Sequence, residues 1–480
     1  MTGAAGARAP RAQITVWGAV ECERLHAASL EILERCGVEV KDPRGLDLLA
    51  AAGARVEDTR ARIPADIVAG ALASAPRSWT VKGRISDDSL DIILEDGRTY
   101  FGSGPDNLYV RDPRSGDRRR ATLADVEEMA ALAERLPNIG FVMSMGLPED
   151  AANETVDVAQ FAAMVKGTRK PIVVSSPYGG EPMRAMYEMA ALCGRGDSFA
   201  CLAMTSPPLM IDGVAVSKSL VCGELGIPLV LAPAPSGGST APASVAAVVA
   251  VANAEVLAGL CIHQLAWPGA PFVYGVGVGF LNMRTTVEAY CSPEGDLGHQ
   301  AIVDVARHYG LPSWSYAGYS DAKSLDEQWS SEATASTIIG ALSRATLLHD
   351  VGYLESGMQS SYDALVLGND LADFARGLMR ELAVDDESLQ IEAIVAAGPG
   401  GNHLASKHTR AHYRDFWQPH LFDQSPHERW QADGAQTLGG RVRARTLELL
   451  DSPRPFALPG EASARLDAMV AEAQRAATGG

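Results

Sequence analysis

No two cysteines in this 480-residue sequence are spaced as CxxC; the seven stand at 22, 36, 193, 201, 222, 261 and 291. That scatter excludes a disulfide framework and a cysteine-based zinc site, and predicts reduced core thiols in a cytoplasmic protein. HExxH, the Walker phosphate loop and GxSxG are absent as well. A zincin, a phosphate-loop nucleotidase and a serine hydrolase are therefore not signalled. The glycine run Gly275-Val276-Gly277-Val278-Gly279 lacks the later ribose-binding acid of a dinucleotide fold. Basic charge is also short, with 41 Lys and Arg against 59 Asp and Glu and a net charge of -18. A nucleic-acid partner needs clustered cations, and the only basic runs, Arg118-Arg119-Arg120 and the 441–445 region, read as solvated faces. The first dozen residues have no apolar signal core and read as a loose tail. The most apolar run, 241–266, is interrupted by Asn253 and Glu255, which predicts a buried helix and not a membrane span.

What is present is an ordinary globular composition, 47% hydrophobic and 21% charged. Helical spacing over 16–33, 44–52 and 64–73, then hairpin-like strands at 79–82 and 90–94, predict a mainly helical N-terminal region over 1–97. From 99 onward, short apolar strands alternate with amphipathic helices. Eight candidate strands fall at 99–103, 140–145, 171–176, 200–205, 228–233, 272–276, 313–317 and 345–349. Helices are expected between them, among them 123–136, 155–165, 183–193, 214–225 and 294–309. Eight such units over 98–356 predict an α/β protein, a (β/α)8 TIM barrel. An open doubly wound sheet is the alternative, since periodicity does not prove closure. Residues 357–480 are expected to form a helical extension on the barrel, with a frayed end.

Several strand ends carry Gly, Ser, Thr or Pro, as in Ser103-Gly104-Pro105, Ser175-Ser176-Pro177 and Thr205-Ser206-Pro207. In a parallel barrel these ends form the mouth where chemistry collects. The stretch 313–356 is one such strand, loop, helix, strand unit, with Asp321, Lys323, Asp326 and Glu327 in its loop and His349 on its last strand. Four histidines at 403, 408, 412 and 420 lie outside the barrel, and packing and capping are expected of them; no metal site is expected.

The stretches FGSGPDNLYVRDPRSGDRRRATLADV (101–126), APAPSGGSTAPASVAAVVAVANAEVLAGL (232–260), GYSDAKSLDEQWSSEA (318–333), LLHDVGYLESG (347–357) and GPGGNHLASKHTR (398–410) resemble the trimethylamine methyltransferase family. The resemblance implies a barrel fold and transfer of a methyl group from a methylated amine to a separate corrinoid protein, with no cofactor held tightly by the chain itself. The family's archaeal trimethylamine enzymes carry pyrrolysine, whereas every residue here is standard. Members without pyrrolysine are similar to glycine betaine methyltransferases, so a small quaternary amine is the implied substrate.

A quaternary nitrogen already carries the charge that makes a neutral amine an acceptable leaving group, so no catalytic residue is obligatory. It has no N–H to donate, and recognition falls to aromatic faces and diffuse negative charge. The candidates near the mouth are Tyr100, Phe101, Tyr109, Tyr178, Trp314, Tyr316 and Tyr319, with Gly104 giving close approach. Trp314 and Tyr316 are two apart and share a side of their strand. His349 is the candidate partner of a substrate carboxylate or a corrinoid side chain, and Glu355 a pocket anion or loop acceptor. Asp321 and Lys323 are expected to form a loop salt bridge. Two other readings stand beside this one: a barrel lyase or aldolase, for which Lys323 is the nearest Schiff-base candidate, and a non-catalytic betaine-binding or regulatory relative. A homo-oligomer is compatible with the sequence.

Overall fold

The computed structural model describes residues 11–84 and 88–478. The expected loose N-terminal tail therefore lies almost wholly outside the described residues. Eight parallel strands form the central sheet: β1 Tyr100–Ser103, β2 Ile139–Phe141, β3 Ile172–Val174, β4 Phe199–Ala203, β5 Leu229–Leu231, β6 Phe272–Gly275, β7 Ser313–Tyr316 and β8 Leu347–Val351. Each pairs with its chain neighbour, and β8 returns to β1. The last seam, between β2 and β3, is a single parallel bridge from Val142 to Ile172, made by the Val142 N–H to Pro171 O and the Val173 N–H to Val142 O, both 3.0 Å. The sheet is thus a barrel, closed at its thinnest point by one residue.

A helix follows every strand: α1 Leu123–Glu134, α2 Val156–Gly167, α3 Pro182–Leu192, α4 Gly213–Leu225, α5 Val245–Ala266, α6 Pro293–Tyr309, α7 Glu327–Ser343 and α8 Tyr362–Leu378. Their starts are written locally. Ser244, Ser292, Asp326 and Ser361 each accept a backbone N–H of the first turn, a cap worth about 1 kcal/mol. The eighth barrel helix lies beyond 356, so the barrel unit runs further into the expected extension than the strand count suggests. Helix Leu438–Asp451 packs on α8 and α1, and Gly460–Thr478 on α2 and α3.

Helix α5 is apolar all round, and among the described residues it is the one long and apolar enough to cross a membrane. Its burial has another cause. Helices Ala19–Arg35, Pro43–Ala51 and Ala65–Ser74 cover its outer side. Asn253 is fully buried; its amide donates to the hydroxyls of Ser29 (2.9 Å) and Tyr309 (3.0 Å) and accepts from Tyr274 (2.7 Å). Glu255, also fully buried, accepts the Thr205 hydroxyl and the Leu209 N–H.

The predicted hairpin is present as Ser78–Val81 antiparallel to Ile92–Glu95. Val81, Ile92 and Leu94 join Phe141, Val173, Leu202, Val230 and Trp314 in one cluster inside the barrel. The hairpin therefore plugs the N-terminal end, and the Ile93 N–H donates to the Tyr100 hydroxyl there (3.0 Å). The C-terminal end of the strands is left as the mouth.

Candidate active site

Side chains alternate along β7, so Trp314 and Tyr316 both point inward, one layer apart. Trp314 sits in the inner cluster opposite Leu347, and Tyr316 pairs with His349 above it. Over this layer Ala234, Gly277, Val278, Gly279, Glu288, Tyr290, His299 and Tyr316 line a small cavity of about 40 Å³. Two of these residues arrive on a ribbon that follows β6, Gly279–Asn282 antiparallel to Val287–Ala289, which folds Glu288 back over the mouth. The alternating glycines make room for this: a Cβ on Gly279 would lie 1.5 Å from Glu288 Oε1, and one on Gly277 would lie 2.6 Å from the Tyr316 hydroxyl. Their role here is close approach, and no phosphate loop is formed.

His299, on α6, accepts the Val278 N–H at Nε2 (3.1 Å), which places its proton on Nδ1. Burial, with a smaller push from His349, holds its pKa at about 3, so the ring is neutral. It stacks on Tyr316 at 4.4 Å. Burial also raises the carboxyl of Glu288 above its ordinary range.

His349 lies between Trp314, stacked at 4.3 Å, and Tyr316 at 4.2 Å. Its Nδ1 is 2.6 Å from Asp350 Oδ1. That contact lacks hydrogen-bond alignment, so both ring nitrogens of His349 and Oδ1 of Asp350 are buried without a hydrogen-bond partner among the described residues. Two adjacent buried polar groups without hydrogen-bond partners are rare in a protein interior, and a bound water or ligand would complete the set. A break in register between β8 and β1, between Leu348 and Val351, and a φ of 77° at Asp350 turn both side chains toward the mouth. Around Asp350 stand Tyr290, Tyr316 and Tyr353, whose phenols are raised by burial first and by this carboxylate in addition. Nearby Asp106, which accepts from Gln160 (2.9 Å), is pushed up to about 6 by burial.

Several residues expected at the site lie elsewhere. Tyr100 is at the plugged N-terminal end, because β1 enters the barrel there. Phe101 faces outward, buried under the helices with the Arg376 guanidinium 5.7 Å from its ring. Tyr178 is half exposed on the loop after β3 and does not line the cavity. Tyr109 carries the Arg118 guanidinium at 3.4 Å, and Arg118 holds Glu355 through two bonds of 2.8 and 2.9 Å, so Glu355 is a loop-ordering acceptor. Tyr319 is buried with its hydroxyl donating to Asp296 (2.8 Å). Gly104 is at the mouth, where a Cβ would meet the Tyr353 ring and Asp350 Oδ1.

The expected Asp321–Lys323 salt bridge does not form. The Asp321 carboxylate is filled by the backbone N–H groups of Tyr290 and Cys291 (3.1 Å each) and the Ser356 hydroxyl (2.6 Å), and Lys323 Nζ donates to the Asp321 carbonyl instead. Asp321 thereby fixes the strand end that presents Tyr290. Cys291, Asp321 and Glu332 come close enough to share a metal ion. Glu332 is similarly filled, by the Ser320 hydroxyl, the Asp321 N–H and the Gln328 amide, and burial pushes the Cys291 thiol up, away from the thiolate a metal needs. The trio braces the loop. Lys323, the Schiff-base candidate of the aldolase reading, is not among the residues that line the cavity, and its Nζ donates to the Asp321 carbonyl. Glu288, Tyr290, His299, Asp350 and Tyr353 were not singled out from the sequence; the adjacency of Asp350 to His349 and the glycine alternation were the available signals.

Comparison with known proteins agrees with this architecture. The chain is similar to the crystal structure of the Methanosarcina barkeri monomethylamine methyltransferase MtmB, with a TM-score of 0.52 at 12% identity, covering 91% of this chain and 89% of that one. Among curated proteins, it is 28% identical over 463 residues to trimethylamine methyltransferase MttB of Desulfitobacterium hafniense strain DCB-2, covering 95% of this chain and 93% of that protein. It is 29% identical over 463 residues to glycine betaine methyltransferase of D. hafniense strain Y51, with 94% and 95% covered. It is 30% identical over 447 residues to MttB of Methanosarcina thermophila, with 90% and 91% covered. The sequence model described as trimethylamine methyltransferase (MTTB) matches residues 5–479, so a match that spans nearly the whole chain places this protein in the trimethylamine methyltransferase family.

Proposed function

We propose that this protein removes a methyl group from a glycine betaine-like quaternary amine. The observation that carries the reading is the chamber itself, in which Tyr290 and Tyr316 line the wall beside the Glu288 carboxyl, with Asp350 adjoining. Aromatic faces attract a quaternary ammonium by about 0.5–2 kcal/mol each, and the carboxylates add a charge that needs no N–H from the ligand. The methyl group would pass through the mouth to the Co(I) corrinoid of a separate protein, which would supply the nucleophile. The chain's own residues hold the nitrogen so that the methyl faces outward, and the buried floor of Trp314 and Phe141 keeps water from the other side. As the C–N bond breaks, its electron pair stays on nitrogen and a neutral tertiary amine leaves, so no proton has to move. His349 is the residue for the substrate carboxylate: Asp350 stands beside its Nδ1, and its Nε2 has no partner among the described residues and is left for the ligand.

A quaternary amine with an uncharged tail is favoured by one contrary observation, that no Lys or Arg lines the cavity. One assay separates the readings. Purified protein is given Co(I) corrinoid and, in turn, glycine betaine, choline, tetramethylammonium and trimethylamine. Betaine turnover is expected, and His349→Ala should raise the KM for betaine more than for tetramethylammonium. Equal losses remove His349 from the carboxylate role. Turnover of trimethylamine with no quaternary amine consumed refutes the substrate reading.

A further inference from the structure

On the face of the barrel opposite the mouth, one buried charge has no acceptor among the described residues. Arg84 follows the plugging strand Ser78–Val81, and its backbone N–H donates to the Arg169 carbonyl (3.0 Å), just ahead of β3. The residue is 1% exposed, and its three guanidinium nitrogens, Nε, Nη1 and Nη2, have no hydrogen-bond partner among the described residues. The Phe456 ring lies with its centroid 5.5 Å from the guanidinium. An aromatic face attracts a cation, but it does not replace acceptors for five N–H donors.

The carboxylate nearest to hand is already engaged. Glu134, at the end of α1, is the one carboxylate among the described residues that attracts Arg84. Its Oε1 accepts the Arg169 Nε–H (2.5 Å), and its Oε2 accepts the Thr168 hydroxyl (2.7 Å) and the Arg169 backbone N–H (3.0 Å). Lys170 adds a third cation on the same turn, buried, with Nζ held by the carbonyls of Ala133, Leu136 and Ile139. Arg84, Arg169 and Lys170 thus share a single carboxylate. Burial pushes the Arg84 guanidinium down to about 10, which leaves it charged at neutral pH. On the adjoining strand Ser198 is fully buried at the start of β4, where its carbonyl accepts the Ile172 N–H (3.4 Å). Its hydroxyl also has no partner among the described residues. Water can accept the N–H donors of Arg84, but it cannot offset the charge, and an unpaired buried charge costs a fold heavily.

We propose that a small monovalent anion of chloride size is bound beside Arg84, at the entry of β3 and β4, where it fastens the hairpin plug to the barrel. The guanidinium supplies the N–H donors, Arg169 and Lys170 add positive potential, and the Ser198 hydroxyl is a further donor on the adjoining strand. Closure favours a single-atom ion, since a phosphate or a larger carboxylate would have to displace Phe456, whose ring stands 5.5 Å from Arg84 and 5.9 Å from Arg169. The site is at the other end of the barrel from the chamber and does not depend on the reaction proposed there.

The test is thermal unfolding of the full chain, with sodium chloride replacing sodium gluconate at constant ionic strength. An anion that binds only the native state stabilises it by mass action. The wild-type midpoint should rise by about 2–4 °C as chloride goes from about 1 mM to about 100 mM, and bromide should act as chloride does. Arg84→Met keeps an unbranched apolar stem and removes the charge, so its midpoint should not follow chloride. Bromide-soaked crystals of the wild type should show an anomalous peak within hydrogen-bond reach of the Arg84 guanidinium, a measurement that stands even if the variant does not fold. A wild-type response no larger than that of Arg84→Met overturns the proposal, and so does a bromide-soaked crystal with no peak at Arg84.

Discussion

Asp350 shows how much of the site depends on one backbone irregularity. Strand alternation puts His349 inward and its neighbour outward, so LLHDV reads as one inward histidine. The register break and the left-handed φ at Asp350 bring the second side chain in as well, and nothing in local pattern announces that. Glu288 and Tyr290 were hidden for another reason, since they reach the mouth on a ribbon outside the strand count. Their chemistry predicts a particular kinetic signature. Positive charge on nitrogen fades as the C–N bond breaks, so the acids favour the bound substrate more than the transition state. Asp350→Asn and Glu288→Gln should each raise the KM for a quaternary amine by on the order of tenfold, about 1.4 kcal/mol, with a smaller change in kcat; a loss confined to kcat would contradict this. Glu255 makes a separate prediction. Burial raises its carboxyl to about 7, above the unfolded value of about 4.3. Its contribution to stability is therefore complete below about pH 4 and lost as pH rises through about 7. Glu255→Gln keeps acceptors and donors for Thr205 and Leu209 without the charge. The variant should gain on the wild type between pH 5 and pH 8 by up to roughly 3 kcal/mol, measured by denaturant unfolding across that range; a difference that does not move with pH would exclude the buried charge as its cause.

At the scale of elements, strands and helices were legible because each βα unit repeats the same instructions, an apolar run, small turn residues and a capping Ser or Asp. The eight strands fall where the pattern puts them. The direction a residue faces was less legible: Tyr100 and Phe101 sit on a correctly placed strand, but one belongs to its plugged end and the other to its outer face. The ribbon after β6 is the element that most shapes the site, and its glycines carry a testable role. In Gly279→Ala the atoms nearest the added Cβ all belong to the Glu288 side chain, its carboxylate first, which can swing away at small cost to the fold. The melting midpoint should change little, while the KM should rise about as far as in Glu288→Gln. The double variant should be no worse than either single one, the non-additivity expected of two changes acting on one contact. Additive losses would show that Gly279 serves the backbone and not Glu288.

At the scale of the whole molecule, closure of the barrel was beyond the sequence, because the β2–β3 seam rests on the single Val142–Ile172 bridge. The relation of the N-terminal region to the barrel was equally hidden, and it bears on how the protein unfolds. Leu33, Val68 and the apolar face of α5 lie in one continuous buried cluster that also reaches α2, α6 and α8. Helix α5 is the hinge of that arrangement: without Ala19–Arg35 and its neighbours it would turn an apolar surface outward, so the covering helices and the barrel gain most of their stability from each other. Leu33→Ala, at a side chain with no exposure, should cost about 2–5 kcal/mol. Because the cluster is shared, calorimetry should show one unfolding transition displaced to lower temperature as a whole. A separate early transition, with the main one unmoved, would mean that residues 11–97 fold as a domain of their own and that α5 is stable without them.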